Sequence, residues 1–216
     1  MTDGPLLAVL DYGIGNLRSA QKALQKVGAD AHLTADPGLI ADAAGLVLPG
    51  VGSFGRCMEA LAEAGLADIA HEAATAAAAG EGRPFLGVCV GMQMLFDGSD
   101  ESPEVPGLGV IGGRIRLLPE GVKRPQMQWN ILDRSRSCEA LVGLPEEAWV
   151  YFVHSYWAEV SDPTDVVATC AYGVPVTAAV ERGALWATQF HPEKSAANGL
   201  HLLGRFVDRC RTAVPA

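Results

Sequence analysis

Short continuous apolar runs alternate with amphipathic stretches through the first 105 residues, and that alternation predicts strands and helices in turn. Leu6 to Leu10 is apolar at every position and ends at Asp11, as a strand buried on both faces would. Asn16 then stands as a cap before Leu17, Ala20, Leu24 and Val27, which share one helical face until Gly28 stops the helix. A short edge strand is expected near Ala31 to Leu33, a buried strand at Gly45-Leu46-Val47-Leu48, and helical patterns from residue 53 to residue 79. The alanine-dense stretch 73–79 suits close helix packing. Phe85 to Val88 supplies a further buried strand. Strands alternating with helices in this way imply a parallel sheet covered on both faces.

Beyond residue 105 the texture changes. Gly, Pro and β-branched residues predominate, as in Gly109-Val-Ile-Gly-Gly-Arg-Ile-Arg116 and Asp165-Val-Val-Ala-Thr-Cys170, so this half is expected to be mostly antiparallel strand. Ser195 should cap a last helix whose Leu200, Leu203, Val207 and Cys210 form an apolar stripe. No internal repeat or long linker divides the chain, so one domain over residues 1–216 is expected.

Composition narrows the classes of function. The net charge is −9, from 16 basic and 25 acidic residues. With no basic run, a nucleic-acid or anionic-membrane surface is not expected. The five cysteines (57, 89, 138, 170 and 210) include no C-x-x-C pair, which argues against a disulfide framework, and no metal site is expected. Without a signal-peptide pattern or an 18-residue apolar span, a soluble cytoplasmic protein is expected.

The chemistry concentrates in two segments. In Pro84-Phe85-Leu86-Gly87-Val88-Cys89-Val90-Gly91-Met92-Gln93 a cysteine sits between two small-residue positions where a strand gives way to a helix, the pattern of a nucleophile elbow. A hundred residues later Gln189-Phe190-His191-Pro192-Glu193-Lys194-Ser195 offers a histidine and a carboxylate two positions apart, which an extended backbone directs to one side. Cys89, His191 and Glu193 form a candidate triad: thiol nucleophile, general base and then acid, and the carboxylate that fixes the imidazole. Taken without the elbow, a buried cysteine is a small core residue and His-Pro-Glu a surface turn. His32, His71 and His201 show no ligand spacing and read as structural. Pro49-Gly50-Val51-Gly52-Ser53-Phe54-Gly55 carries a Gly-x-Gly-x-x-Gly string, but it is not on the first βαβ unit. Its exposed amides, together with the Val90 N–H, suit an oxyanion hole better than a dinucleotide.

These residues together resemble the class I glutamine amidotransferases, whose marks are the Gly-x-Cys-x-Gly elbow and a downstream His-Pro-Glu. Asp11-Tyr-Gly-Ile-Gly-Asn-Leu17, Pro49-Gly-Val-Gly-Ser-Phe54, Gly87-Val-Cys-Val-Gly-Met-Gln93, Tyr151-Phe-Val-His-Ser-Tyr156 and Gln189-Phe-His-Pro-Glu-Lys-Ser195 are more narrowly similar to the glutaminase subunits of imidazole glycerol phosphate synthases. The resemblance implies an α/β, flavodoxin-like three-layer fold, with a mixed, mostly parallel central sheet and an additional antiparallel region. It implies attack of Cys89 on the side-chain amide of L-glutamine, hydrolysis of a γ-glutamyl thioester, and no cofactor. Ammonia would pass to a (β/α)₈-barrel cyclase subunit in a heterodimer. There a phosphoribulosyl aminoimidazole carboxamide ribonucleotide becomes imidazole glycerol phosphate and an aminoimidazole carboxamide ribonucleotide, a step of histidine biosynthesis.

By the same resemblance Gly50, Gln93, Ser155 and Tyr156 would hold glutamine, with Val51 or Gly52 and Val90 forming the oxyanion hole. Trp129, Asn130, Tyr151 and Lys194 would face the cyclase. The chain departs from the family where His-Met-Gly-Trp-Asn is usual: it has Gln126-Met127-Gln128-Trp129-Asn130. A glycine that needed positive φ could not be replaced so freely. Two other readings stay open, a stand-alone thiol hydrolase such as a γ-glutamyl hydrolase or thioesterase, and a catalytically silent regulatory subunit.

Overall fold

The structure is a computed structural model and describes residues 4–212. Its first half alternates as the apolar pattern predicts: β1 (Leu6–Leu10), α1 (Leu17–Lys26), β2 (Asp30–Thr34), α2 (Pro37–Asp42), β3 (Gly45–Gly50), α3 (Phe54–Glu63), α4 (Ala67–Ala79) and β4 (Phe85–Cys89). After the single turn α5 (Val90–Gln93) come β5 (Gly98–Ser99), β6 (Ser102–Pro106), β7 (Gly113–Leu117), β8 (Gln126–Ile131), β9 (Asp133–Arg134) and β10 (Trp149–His154). The chain continues through β11 (Tyr156–Val160), β12 (Val166–Tyr172), β13 (Val174–Arg182) and β14 (Leu185–Thr188) into α6 (Ala196–Thr212).

The central sheet has eight strands in the order β2-β1-β3-β4-β14-β13-β12-β9. Its first five strands pair in parallel and the remaining three antiparallel. β3, β4 and β14 are buried at every position, which is why they read as unbroken apolar runs rather than alternating ones. Helices α1 and α6 pack together on one side, and α3 and α4 together on the other. Helix α4 buries only Ala70, Ala74 and Ala77, and side chains that small let it lie close against β4, β13 and β14. A four-stranded sheet, β11-β7-β5-β6, and a two-stranded ribbon, β8 with β10, stand beside the central sheet.

Several local expectations are revised. The pattern over residues 53–79 is two helices, because Gly65 takes φ +69° and breaks the run. Asn16 does occupy the cap position of α1, but its side-chain oxygen accepts from the Ser19 hydroxyl at 2.7 Å rather than from a backbone N–H. The strand expected from Gly109 is confined to β7, since Gly109 turns at φ +64°. Position 128 lies in β8 without positive φ, so Gln128 replaces glycine without backbone strain.

Candidate active site

The parallel strands β1, β3, β4 and β14 all end on one side, and the loops that follow them meet there, as open α/β sheets dictate. β4 delivers Cys89 at its last position, directly opposite Gly50 of β3. Cys89 has φ 56° and ψ −111°, a conformation costly for a residue with a Cβ and maintained only where the surroundings impose it. Two residues on, a Cβ at Gly91 would overlap the Leu48 carbonyl oxygen, so only glycine lets α5 cross β3 this closely. The sharp turn that results lifts the sulfur off the sheet.

β14 lies between β4 and β13 and carries His191 to the same edge three residues past its end. His191 Nδ1 and Glu193 Oε1 are 2.8 Å apart, and both side chains are buried. Because the carboxylate can only accept, Nδ1 keeps its proton whether the ring is neutral or charged, and Nε2 is the nitrogen that gains or loses the second one. Nε2 is buried without a hydrogen bond of ordinary geometry. Burial opposes a charge on this ring, but Cys89 and Glu193 together outweigh it and raise the pKa from 6.5 to about 9.

Cys89, His191, Val51, Gly52, Val90, Gln93, Ser155, Tyr156 and Lys194 line one cavity of about 450 Å³. Gly50 lies behind that cavity, packed where a Cβ would come 2.8 Å from the Gly91 nitrogen. Gly52 has φ +96° with open space around it. The preceding loop is held from two sides, by the Tyr12 hydroxyl donating to the Pro49 carbonyl at 2.6 Å and by Cys57 Sγ 3.4 Å from the Val51 carbonyl. Gln93 donates from Nε2 to the Tyr156 carbonyl and to Gln189 Oε1, each at 3.0 Å. Both N–H groups of its amide are thereby used within the chain, and its oxygen remains for a ligand.

The four candidate interface residues separate in space. Trp129 and Tyr151 stand opposite each other on the ribbon with ring centroids 6.0 Å apart, and Lys194 is exposed at the cavity rim. Asn130 alternates to the other face, where its amide donates to the Ala171 carbonyl at 3.0 Å.

Other participants were missed from sequence. Glu101 lines the cavity and accepts from the Phe54 N–H at 2.7 Å, replacing the capping Ser53 does not provide. His154 lines it too, with its Nδ1 2.9 Å from the Tyr156 carbonyl; burial lowers its pKa to about 4 and keeps the ring neutral. Gln189 is fully buried, and its Nε2 is 3.7 Å from Cys89 Sγ. Ser195 immediately precedes α6 as expected, and its Oγ donates to the His191 carbonyl and accepts from the Tyr151 N–H. The available signal was a polar residue flanking His-Pro-Glu inside an apolar stretch, which is ambiguous in one dimension. All five cysteines are buried as free thiols, and among the described residues no group of three His, Cys, Asp or Glu could hold a metal ion.

A buried thiol at a strained elbow beside a carboxylate-fixed imidazole is equipped for acyl transfer. The family model for glutamine amidotransferase class-I matches residues 8–210. Two solved structures share the fold at 21% identity. One is described as a glutamine amidotransferase, with TM-score 0.73 and coverage of 95% of this chain and 99% of that one. The other is PurLQS from Thermotoga maritima, with TM-score 0.71 and coverage of 95% and 98%. The chain belongs to the class-I glutamine amidotransferase family.

Its closer likeness is to proteins named imidazole glycerol phosphate synthase subunit HisH. The one from Synechococcus elongatus is 44% identical over 217 residues, covering 99% of this chain and 97% of its own. That from Methanothermobacter thermautotrophicus is 47% identical over 209 residues, covering 95% and 100%. Within the class, this chain belongs with the HisH glutaminase subunits. Among the described residues no helix is long and apolar enough to cross a membrane.

Proposed function

We propose that Cys89, His191 and Glu193 carry out glutamine hydrolysis within a single glutaminase unit spanning residues 1–216. The carrying observation is the strained Cys89 elbow facing the same cavity as the buried His191–Glu193 pair. The Cys89 sulfur, its proton taken by His191 Nε2, attacks the γ-carboxamide carbon of L-glutamine. His191 returns that proton to the amide nitrogen as the C–N bond breaks, releasing ammonia and leaving a γ-glutamyl thioester. Water, deprotonated by the same imidazole, attacks the thioester; glutamate leaves and the thiol is restored. Amides of the 51–52 loop and of Val90 stabilise the oxyanion in both halves. Gln93 Oε1 and the 155–156 backbone hold the substrate.

The partner is a cyclase subunit that consumes the ammonia to form imidazole glycerol phosphate in the cytoplasm. An exposed apolar face on the ribbon supports this reading: Met127, Trp129 and Trp149 are 61%, 44% and 47% exposed, and they alternate onto the same side as Tyr151 and Val153. A row of large apolar and aromatic side chains beside a catalytic cavity is the composition of an interface core. Lys194 at the rim adds a cation.

The test is glutamate release from glutamine by this chain alone and then with the cognate cyclase and its nucleotide ligand. Strong stimulation by the partner, abolished in Cys89→Ala, is the expected result. Full activity in the free chain would favour a stand-alone thiol hydrolase, and none in either condition a silent subunit.

A further inference from the structure

Gln189 is assigned no role in the reaction just described, yet its side chain is completely buried against the nucleophile. Its surroundings fix not only its position but its polarity. The Tyr156 carbonyl is a backbone acceptor and cannot donate, so the amide of Gln93 must turn its NH₂ toward it, at 3.0 Å. The same NH₂ faces Gln189 at 3.0 Å, so Gln189 must answer with its oxygen. That leaves the Gln189 NH₂ directed at Cys89 Sγ, 3.7 Å away. One backbone carbonyl thus sets the orientation of two successive amides, and the last of them presents a donor to sulfur. The reverse orientation would set oxygen against oxygen at one end and oxygen against sulfur at the other.

We infer that Gln189 is a positioning residue for Cys89, and that the series Tyr156 carbonyl, Gln93 amide, Gln189 amide keeps an N–H directed at its sulfur. A hydrogen bond to a charged acceptor is stronger than one to its neutral form, so this donor favours the sulfur as an anion over the thiol. Both amides are at least nine-tenths buried, Gln93 at 4% and Gln189 at 0% exposure, so neither is free to rotate away into solvent. The wall of the cavity that would meet glutamine is therefore continuous with the group that prepares the nucleophile. The inference rests on Cys89 being the reactive thiol.

The experiment measures Cys89 alkylation by iodoacetamide across a range of pH, in the full chain, alongside glutamine turnover with the partner present. Gln189→Met keeps the length and removes the donor. Gln189→Glu keeps the shape and replaces the donor with an acceptor. Both should move the alkylation profile to higher pH, the glutamate variant further. With glutamine, kcat should fall roughly 10- to 100-fold, the equivalent of one hydrogen bond to a charged group, while KM changes much less. Gln93→Met, which frees the Gln189 amide without touching sulfur, should shift the alkylation profile in the same direction, and the double variant should shift it no further than Gln189→Met alone. Folded Gln189→Met with the parent profile, or shifts that add in the double variant, would overturn the inference. Should Gln189→Met not fold, an unshifted profile in Gln93→Met would overturn it equally. Alkylation does not require glutamine turnover: a parent chain that lacks glutaminase activity with its cyclase sinks the proposed function while leaving the relay intact.

Discussion

The backbone N–H of His191 donates to the Tyr151 carbonyl at 3.0 Å, fastening the imidazole-bearing turn to strand β10. Ser195 closes the connection from the other side, accepting from the Tyr151 N–H at 2.9 Å and donating to the His191 carbonyl at 2.6 Å. Three residues therefore form one ring of hydrogen bonds around the base of His191, the proposed general base. Tyr151 also belongs to the exposed face that carries Trp129. The geometry of His191 is thus set by the strand proposed to meet the partner.

Ser195→Ala removes two of those three bonds and leaves a donor and an acceptor short of a partner. The expected cost is about 1–3 kcal/mol of stability, seen as a drop of several degrees in the unfolding midpoint. Because the ring orients the imidazole and touches no substrate, kcat should fall with KM little changed. An unaltered kcat in a destabilised chain would show that the ring supports the fold alone.

Two glycines near Cys89, the proposed nucleophile, should respond to the same substitution for different reasons. Gly91→Ala places a methyl on the Leu48 carbonyl, a backbone group with no flexible end to yield. Expression as insoluble or unfolded protein is expected, since the loss should exceed about 4 kcal/mol. Gly52→Ala meets no atom within 4 Å and suffers only from φ +96°. Its cost should stay near 1–2 kcal/mol, with the protein folded but turnover reduced because the 51–52 amides reorient. Circular dichroism and glutamate release on both variants separate the two causes.

How much of this was legible in one dimension follows from the physics of each element. β3 and β4 announced themselves because strands buried on both faces are apolar throughout. The elbow was readable because the crossing of α5 over β3 leaves room for glycine only at position 91. The insertion of β14 beside β4 was not readable, since nothing local in Leu185-Trp-Ala-Thr188 says that it pairs in parallel with a strand a hundred residues earlier. Ser195 stands before its helix as the pattern predicts, but a serine before an amphipathic run looks the same in sequence whether or not its hydroxyl also ties His191 to Tyr151. Gln189 gave no sign for a related reason: the partners that fix its amide, Gln93 and Tyr156, are distant in sequence.

The ribbon face predicts an unequal division of binding energy. Trp129 is 44% exposed and stacks edge-on with Tyr151, so in a complex it has large apolar area still to bury. Trp129→Ala should weaken association with the proposed cyclase partner by about 2 kcal/mol, roughly 30-fold in Kd, and should lower the unfolding midpoint of the free chain only slightly, through the lost edge-on contact with Tyr151. Asn130→Ala should instead lower that midpoint, because its amide is already engaged by the Ala171 carbonyl. Titration calorimetry against the cyclase checks the first, and thermal unfolding the second.

The two buried histidines of the cavity predict a stability optimum between them. His191 is raised from 6.5 to about 9, so the native chain holds a proton that the unfolded chain gives up; its contribution is complete below pH 6.5 and is lost as pH rises through 9. His154 is lowered from 6.5 to about 4, so the unfolded chain takes up a proton that the native chain refuses. Its contribution is complete above pH 6.5 and is lost as pH falls toward 4. The two limbs run in opposite directions, so together these histidines favour the folded chain most between them. Urea unfolding at a series of pH values should therefore give a dome. Cys89→Ala and Glu193→Gln should flatten its alkaline side, because both partners contribute to holding the His191 proton. His154→Asn should flatten only the acid side. An alkaline limb untouched in Cys89→Ala would mean that the thiol and the imidazole do not share charge in the resting protein, and that their pairing begins only when glutamine binds.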